Sequence, residues 1–260
     1  MGVVRKFFFM ILGSLSQPII FAHRGASAYA PENTLPAFEL AVEQGADAIE
    51  LDIKLSSDGH AIAIHDDAVD RTTGARGRVK DMSLAELRAL DAGSYFSEKF
   101  RGEKIPLLEE VFEAVGRRIF INVELTNYDN EDDHLVETVC MTVKKFNLQK
   151  QVMFSSFHAK NLTKARGLLP DVPRGLLAIN DYRGVWQRSF VFAFGNFQAL
   201  HPHLENTSLR QVIRVHRMKR RVHVWTVNAE NDIRRLFRWG VDGVFTDDPL
   251  LALRVRGEKQ

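Results

Sequence analysis

Apolar runs of four to six residues, each bounded by turn-forming or charged positions, recur along the chain, and runs of that length predict strands. They fall at 18–22 (PIIFA), 48–53 (AIELDI), 119–124 (IFINVE), 151–155 (QVMFS), 175–179 (GLLAI), 197–200 (FQAL), 222–227 (VHVWTV) and 243–246 (GVFT). Between them the apolar spacing lengthens to three and four, which predicts helices over 34–44, 107–115, 133–146, 158–167, 208–218 and 230–238. Asn33 is the expected N-cap of the first, and Gly45 stands just past its end. The stretch 181–192 is less regular and reads as a further helix.

Eight strands alternating with helices imply a parallel sheet, and eight such units in 260 residues imply closure into a (β/α)8 barrel of the TIM type. One segment breaks the alternation. Ala61 to His65 follows the second strand after only Ser56-Ser57-Asp58-Gly59, a connection too short for a parallel crossover, so it is expected to fold back antiparallel as a hairpin strand. About forty residues, 66–105, then leave the barrel rhythm, with a capped short helix starting at Ser83-Leu84-Ala85-Glu86. They read as a small insertion over the mouth, where long excursions shape access to a site. Residues 17–255 are thus expected to form one barrel domain.

Composition leaves this picture unchanged but narrows the partners. Hydrophobic residues make up 45% and charged residues 26%, the proportions of a globular chain. A net charge of +2 argues against nucleic acid as a partner, and the basic run Arg210, Arg214, His216, Arg217, Lys219, Arg220, Arg221 reads as solvated faces of outer helices. The single cysteine, Cys140, sits in an apolar stretch and reads as a buried small hydrophobe. Residues 1–16, with Arg5-Lys6 ahead of a short apolar stretch, resemble a signal peptide or form an N-terminal extension under the barrel. That stretch is too short to span a bilayer, and a cytoplasmic location is the expectation.

Chemistry collects at the carboxyl ends of the strands, which form the active face of such barrels. His23 and Arg24 follow the first strand, Glu50 and Asp52 close the second, His65 ends the hairpin strand and Glu124 closes the third. Glu50 and Asp52 are two apart and share a face, so three carboxylates converge on the mouth; such a trio repels itself unless a cation sits among them. Oxygen ligands suit Mg²⁺ or Ca²⁺, with Mn²⁺ an alternative. His23 and His65 on the same rim are the candidate general acid and base of phosphodiester cleavage, and Arg24 a phosphate ligand. Among the other histidines, only His201 is placed to face the mouth.

The segments AHRGASAYAPENTLPAF from Ala22, GADAIELDIKLSSDGHAIAIHDD from Gly45, RTTGARG from Arg71, IPLLEEVF from Ile105, INVEL from Ile121, FSSF from Phe154, VWTVN from Val224 and GVDGVFTDDP from Gly240 resemble the bacterial glycerophosphodiester phosphodiesterase family, in order and over nearly the whole chain. The resemblance implies a barrel with an insertion after the second strand, a divalent cation on Glu50, Asp52 and Glu124, and acid/base work by His23 and His65. The implied reaction hydrolyses a small glycerophosphodiester to sn-glycerol 3-phosphate and an alcohol. It also places Glu32 near the site and gives Trp225 as an apolar wall. Two positions depart from the family: Thr126 stands where a lysine is frequent, removing a positive charge, and Leu107 replaces a threonine at a helix start. The Thr126 change raises an alternative, lysophospholipase D-type cleavage of a lysophospholipid. A third reading is a catalytically silent phosphoester-binding barrel.

Overall fold

The computed structural model describes residues 15–128 and 133–258. Nine strands are present among them: β1 (Ile19–Ala22), β2 (Ala48–Leu55), β3 (Ala61–Ala63), β4 (Phe120–Leu125), β5 (Val152–Ser156), β6 (Arg174–Ala178), β7 (Ala199–Pro202), β8 (Arg221–Val224) and β9 (Gly243–Thr246). All but β3 pair in parallel in the order β1-β9-β8-β7-β6-β5-β4-β2, and a β1–β2 pairing closes the ring. The result is an eight-stranded parallel barrel. β3 lies outside it, antiparallel to the far end of β2 with Ile53 opposite Ala63, across a turn in which Gly59 takes a φ of 85°.

The helices are α1 (Leu35–Glu43), the short α2 (Asp70–Thr73) and α3 (Leu84–Ala89), then α4 (Leu108–Val115), α5 (Leu135–Lys145) and α6 (Ala159–Leu168). The next, α7, runs through Tyr182–Trp186, a π-helical turn Gln187–Val191 and Phe192–Phe194; α8 (Leu209–Arg217), α9 (Glu230–Arg238) and α10 (Pro249–Gly257) complete the chain. Apolar side chains on the outward faces of the strands, such as Ile49, Leu51, Val123, Phe154 and Val222, pack against the helices in one continuous core. The inward faces hold a second cluster of Ile19, Phe21, Ala48, Phe120, Met153, Ala199 and Phe245 that plugs the barrel below its mouth.

The segment after β3 packs on Ile62 of that strand in a small core of its own with Ile64, Val69, Val79, Leu87, Ala92 and Ile105. Its helix α3 carries the expected capping box, with Ser83 and Glu86 each bonding the other's backbone N–H. Leu107, at the N-cap of α4, has no side-chain acceptor; Glu110 takes the Leu107 N–H instead, at 2.8 Å.

Three expectations need correction. Asn33 does not cap α1: its φ of 55° places it in the left-handed region, the cap position falls to Thr34, and the Asn33 amide turns inward to Asp52. β7 begins two residues later than predicted, at Ala199; Gln198 just before it still bonds both neighbouring strands, its N–H to the Arg174 carbonyl and its carbonyl to the Arg221 N–H, and its side chain accepts from the Arg174 N–H at 3.0 Å. β8 ends at Val224 rather than 227. Cys140 is buried, and burial pushes its thiol up to about 12, as suits a packing residue. The N-terminal segment read as signal-like lies almost wholly outside the described residues. No helix among the described residues is long and apolar enough to cross a membrane.

Candidate active site

The inward-facing ends of β1, β2, β4, β5 and β8 line one cleft of about 400 Å³, bounded by His23, Arg24, Glu50, Asp52, His65, Asn122, Glu124, Phe157 and Trp225 among others. Register explains the gathering: Glu50 lies opposite Asn122 and Asp52 opposite Glu124, so the parity that turns Asp52 inward turns Glu124 inward beside it. One oxygen from each of Glu50, Asp52 and Glu124 lies within 4.8 Å of the others. Asn33 fixes Asp52, donating from its Nδ2 at 2.9 Å, and Tyr128 donates its hydroxyl to Glu124 at 2.7 Å.

The three acids do not share one electrostatic state. Burial, then repulsion from Asp52 and Glu124, drives the Glu50 carboxyl well above its ordinary range. Burial and the neighbouring Asp52 push Glu124 up to about 8. Burial also opposes ionisation of Asp52, but the Arg24 guanidinium, the imidazoles and the Asn33 amide outweigh it and hold this carboxyl low. Glu50 Oε1 is buried with no hydrogen-bond partner among the described residues. An orphaned carboxylate oxygen amid two further carboxylates fits a hard divalent cation, which would supply the missing partner and remove the repulsion.

Each histidine is held from behind by an aspartate. His23 Nδ1 lies 2.6 Å from Asp247 Oδ1, and Asp247 is itself gripped by Ser27 and Asn228. His65 Nδ1 lies 2.6 Å from Asp66 Oδ1, while Asp66 receives a bond from Arg71 Nε. Burial resists ionisation of both aspartates, yet these contacts hold each below the usual carboxylate range. A carboxylate only accepts, so Nδ1 carries the proton in both rings and Nε2 is the unprotonated nitrogen of each neutral ring. Asp66 and Asp247 were not singled out in the sequence, although each opens an Asp-Asp pair just after a residue of the mouth.

Arg24 donates its backbone N–H to Glu50 at 2.9 Å and its Nη1 to Glu32 at 2.8 Å, with Nε 3.2 Å from Asp52. Glu32 also receives a two-pronged bond from Arg71 of the 66–105 segment, so it joins the rim of the barrel to that segment. Trp225 donates Nε1 to the His201 carbonyl at 2.7 Å and meets Phe157 and His203 edge-on, forming an aromatic side to the cleft. His201 itself lies beneath the mouth, fully buried, with its Nε2 3.1 Å from His223 Nδ1. Gly175 makes room for it, since a side chain there would meet the imidazole.

The positive charge missing at position 126 has a counterpart nearby. Lys54, two residues beyond Asp52 and on the same face, is buried and donates to the Thr126 carbonyl at 3.0 Å while pairing with Asp67 at 2.6 Å. Thr126 bonds the Ile53 carbonyl through its hydroxyl, tying β4 to β2.

A model of the glycerophosphoryl diester phosphodiesterase family matches residues 23–251. The chain belongs to that family. A glycerophosphodiester phosphodiesterase from Caldanaerobacter subterraneus is 39% identical over 232 residues, covering 89% of this chain and 94% of the relative. One from Bacillus subtilis is 34% identical over 268 residues, covering 94% and 89%. Among solved structures, an Oleispira antarctica phosphodiesterase in complex with the product sn-glycerol-3-phosphate superimposes with a TM-score of 0.84 at 31% identity, covering 95% of this chain and 98% of its own. A family structure from Silicibacter pomeroyi gives 0.83 at 26% identity, with 96% of each chain covered.

Proposed function

We propose that the protein hydrolyses glycerophosphodiesters to sn-glycerol 3-phosphate and an alcohol at the cleft bounded by His23, His65 and the three carboxylates. The observation that carries this reading is the pair of aspartate-backed imidazoles on either side of Glu50, Asp52 and Glu124, in a family whose Oleispira antarctica relative holds that product.

Hydrolysis forms a bond from a water oxygen to phosphorus and breaks one ester P–O bond. One imidazole Nε2 takes the proton from the water, and the other, protonated, gives its proton to the departing alkoxide. Asp247 and Asp66 hold the two rings in the required tautomer and stabilise the imidazolium form of each. Arg24, held in place by Glu32 and Asp52, directs positive charge at a phosphate oxygen. Glu50, Asp52 and Glu124 would hold a divalent cation, Mg²⁺, Ca²⁺ or Mn²⁺, which when bound supplies charge neutralisation at a phosphoryl oxygen. Phe157 and Trp225 bound the side of the cleft that receives an apolar part of the substrate.

Release of sn-glycerol 3-phosphate from glycerophosphocholine by purified protein, measured in EDTA and after restoring each metal separately, tests the reading. Product that EDTA abolishes and one cation restores is expected; no product under any cation would sink it. Lysophospholipid cleavage is the second reading, favoured by the aromatic side at Phe157 and Trp225, which directly follow β5 and β8.

A further inference from the structure

Helix α7 leaves the mouth end of β6 and turns its large apolar side chains outward. Tyr182, Val185, Trp186, Phe190 and Phe194 are between 54 and 86% exposed, and their spacing of three and four places most of them along one face. Trp186 and Phe190 stack at 4.7 Å. The neighbouring α8 adds Leu209 and Ile213, 44 and 42% exposed. A contiguous apolar patch of this kind marks an interaction site.

Charge decides what the patch meets. Between residues 181 and 221 the chain carries eight Lys and Arg against two acids, Asp181 and Glu205, and although Arg188 and Arg221 are buried, the exposed balance stays positive. Arg210, Arg214 and Arg217 are exposed on α8 beside Leu209 and Ile213. Arg214 bonds the Arg188 carbonyl, and Arg220 bonds the Phe192 and Gly195 carbonyls while lying over the buried Phe192 ring, so α8 and the basic run after it pack directly against α7. Two copies packed through this face would set one basic rim against another, which disfavours self-association. Aromatic and aliphatic side chains flanked by Arg and Lys are instead the composition of a helix that lies in the headgroup layer of an anionic membrane.

We infer that α7 and α8 form a docking surface for an anionic lipid bilayer. Gln187 of α7 donates to the Phe157 carbonyl at 2.9 Å, and Phe157 lines the catalytic cleft, so docking brings the mouth beside the lipid headgroups. The inference stands whichever diester the cleft hydrolyses.

The test is flotation of the full chain with vesicles of phosphatidylcholine containing phosphatidylglycerol, against vesicles of phosphatidylcholine alone. Binding to the anionic vesicles is expected to be at least about tenfold tighter, and to weaken in high salt. A Phe190→Ser/Phe194→Ser variant is expected to lose about tenfold or more of that binding while keeping its thermal midpoint and its activity on a soluble diester. A second variant, Arg210→Glu/Arg217→Glu, is expected to lose the preference for anionic vesicles. Absence of flotation with anionic vesicles, or equal flotation of wild type and both variants, overturns the inference. So does a concentration-dependent dimer in sedimentation velocity that the phenylalanine variant abolishes in the absence of vesicle binding. Flotation is read without reference to hydrolysis, so an inactive protein that still floats selectively upholds the docking surface while refuting the proposed reaction.

Discussion

Glu124→Gln separates the electrostatic cost of the carboxylate cluster from its use. In EDTA, burial and Asp52 raise the Glu124 carboxyl to about 8 from an ordinary 4.5. A group whose folded pKa is raised binds its proton more tightly in the native state, so the stability it confers is complete below about 4.5 and falls as pH rises to about 8. Each unit corresponds to about 1.4 kcal/mol, which sets a ceiling near 5 kcal/mol at pH 8. Glu124 keeps some contact with solvent, and roughly 2–3 kcal/mol is the working figure. Glutamine is neutral, nearly isosteric and still able to accept the Tyr128 hydroxyl. The metal-free variant should therefore melt on the order of 5–10 °C above the metal-free wild type at pH 8, by differential scanning fluorimetry. Adding a divalent cation should reverse the ranking, because only the wild type keeps all three ligands. A variant that melts at or below the wild type in EDTA would refute the argument from carboxylate repulsion.

Other substitutions probe the remaining parts. Asp247→Asn should lower kcat by about 10²-fold or more with KM nearly unchanged, since His23 loses the acceptor-only carboxylate whose charge fixes its tautomer and stabilises its imidazolium form; unchanged kcat in a steady-state assay would contradict this. His23→Ala and His65→Ala should each lower kcat by about 10²–10⁴-fold, and a variant within a few-fold of wild type would remove that residue from the acid/base pair. Burial pushes His201 down to about 3 and His223 in the same direction, so both are neutral in the fold and titrate near 6.5 when unfolded. Their contribution is complete above pH 6.5 and is lost as pH falls through it, about 2 kcal/mol from His201 by pH 5. Urea unfolding at pH 7 and pH 5 should show a smaller acid loss in His201→Gln than in the wild type; equal losses would exclude the buried imidazole as the cause.

The barrel was legible because each strand is a short apolar run and because a four-residue Ser-Ser-Asp-Gly link permits only a hairpin. The carboxylate cluster was legible from strand parity, which places Glu50 and Asp52 on one face whatever the rest of the chain does. The same parity extends to Lys54, and following β2 two residues further would have found the buried cation beside Thr126. Asn33 was misassigned because an asparagine before a helix usually caps it, whereas here a left-handed backbone turns its amide to Asp52. Asp247 lies 224 residues from His23, and no local pattern reports a contact of that range. Its signal is the Asp247-Asp248-Pro249 run after β9, which also starts α10: Asp248 accepts from Leu251 N–H and Pro249 occupies the first turn, the signature of a helix start.

The most direct test of the account is phosphorus NMR of glycerophosphocholine incubated with metal-loaded wild type and, in parallel, with His23→Ala. The diester resonance is expected to give way to that of sn-glycerol 3-phosphate with the wild type and to persist with the variant. A diester signal that survives the wild type, or that both proteins consume at the same rate, would contradict it.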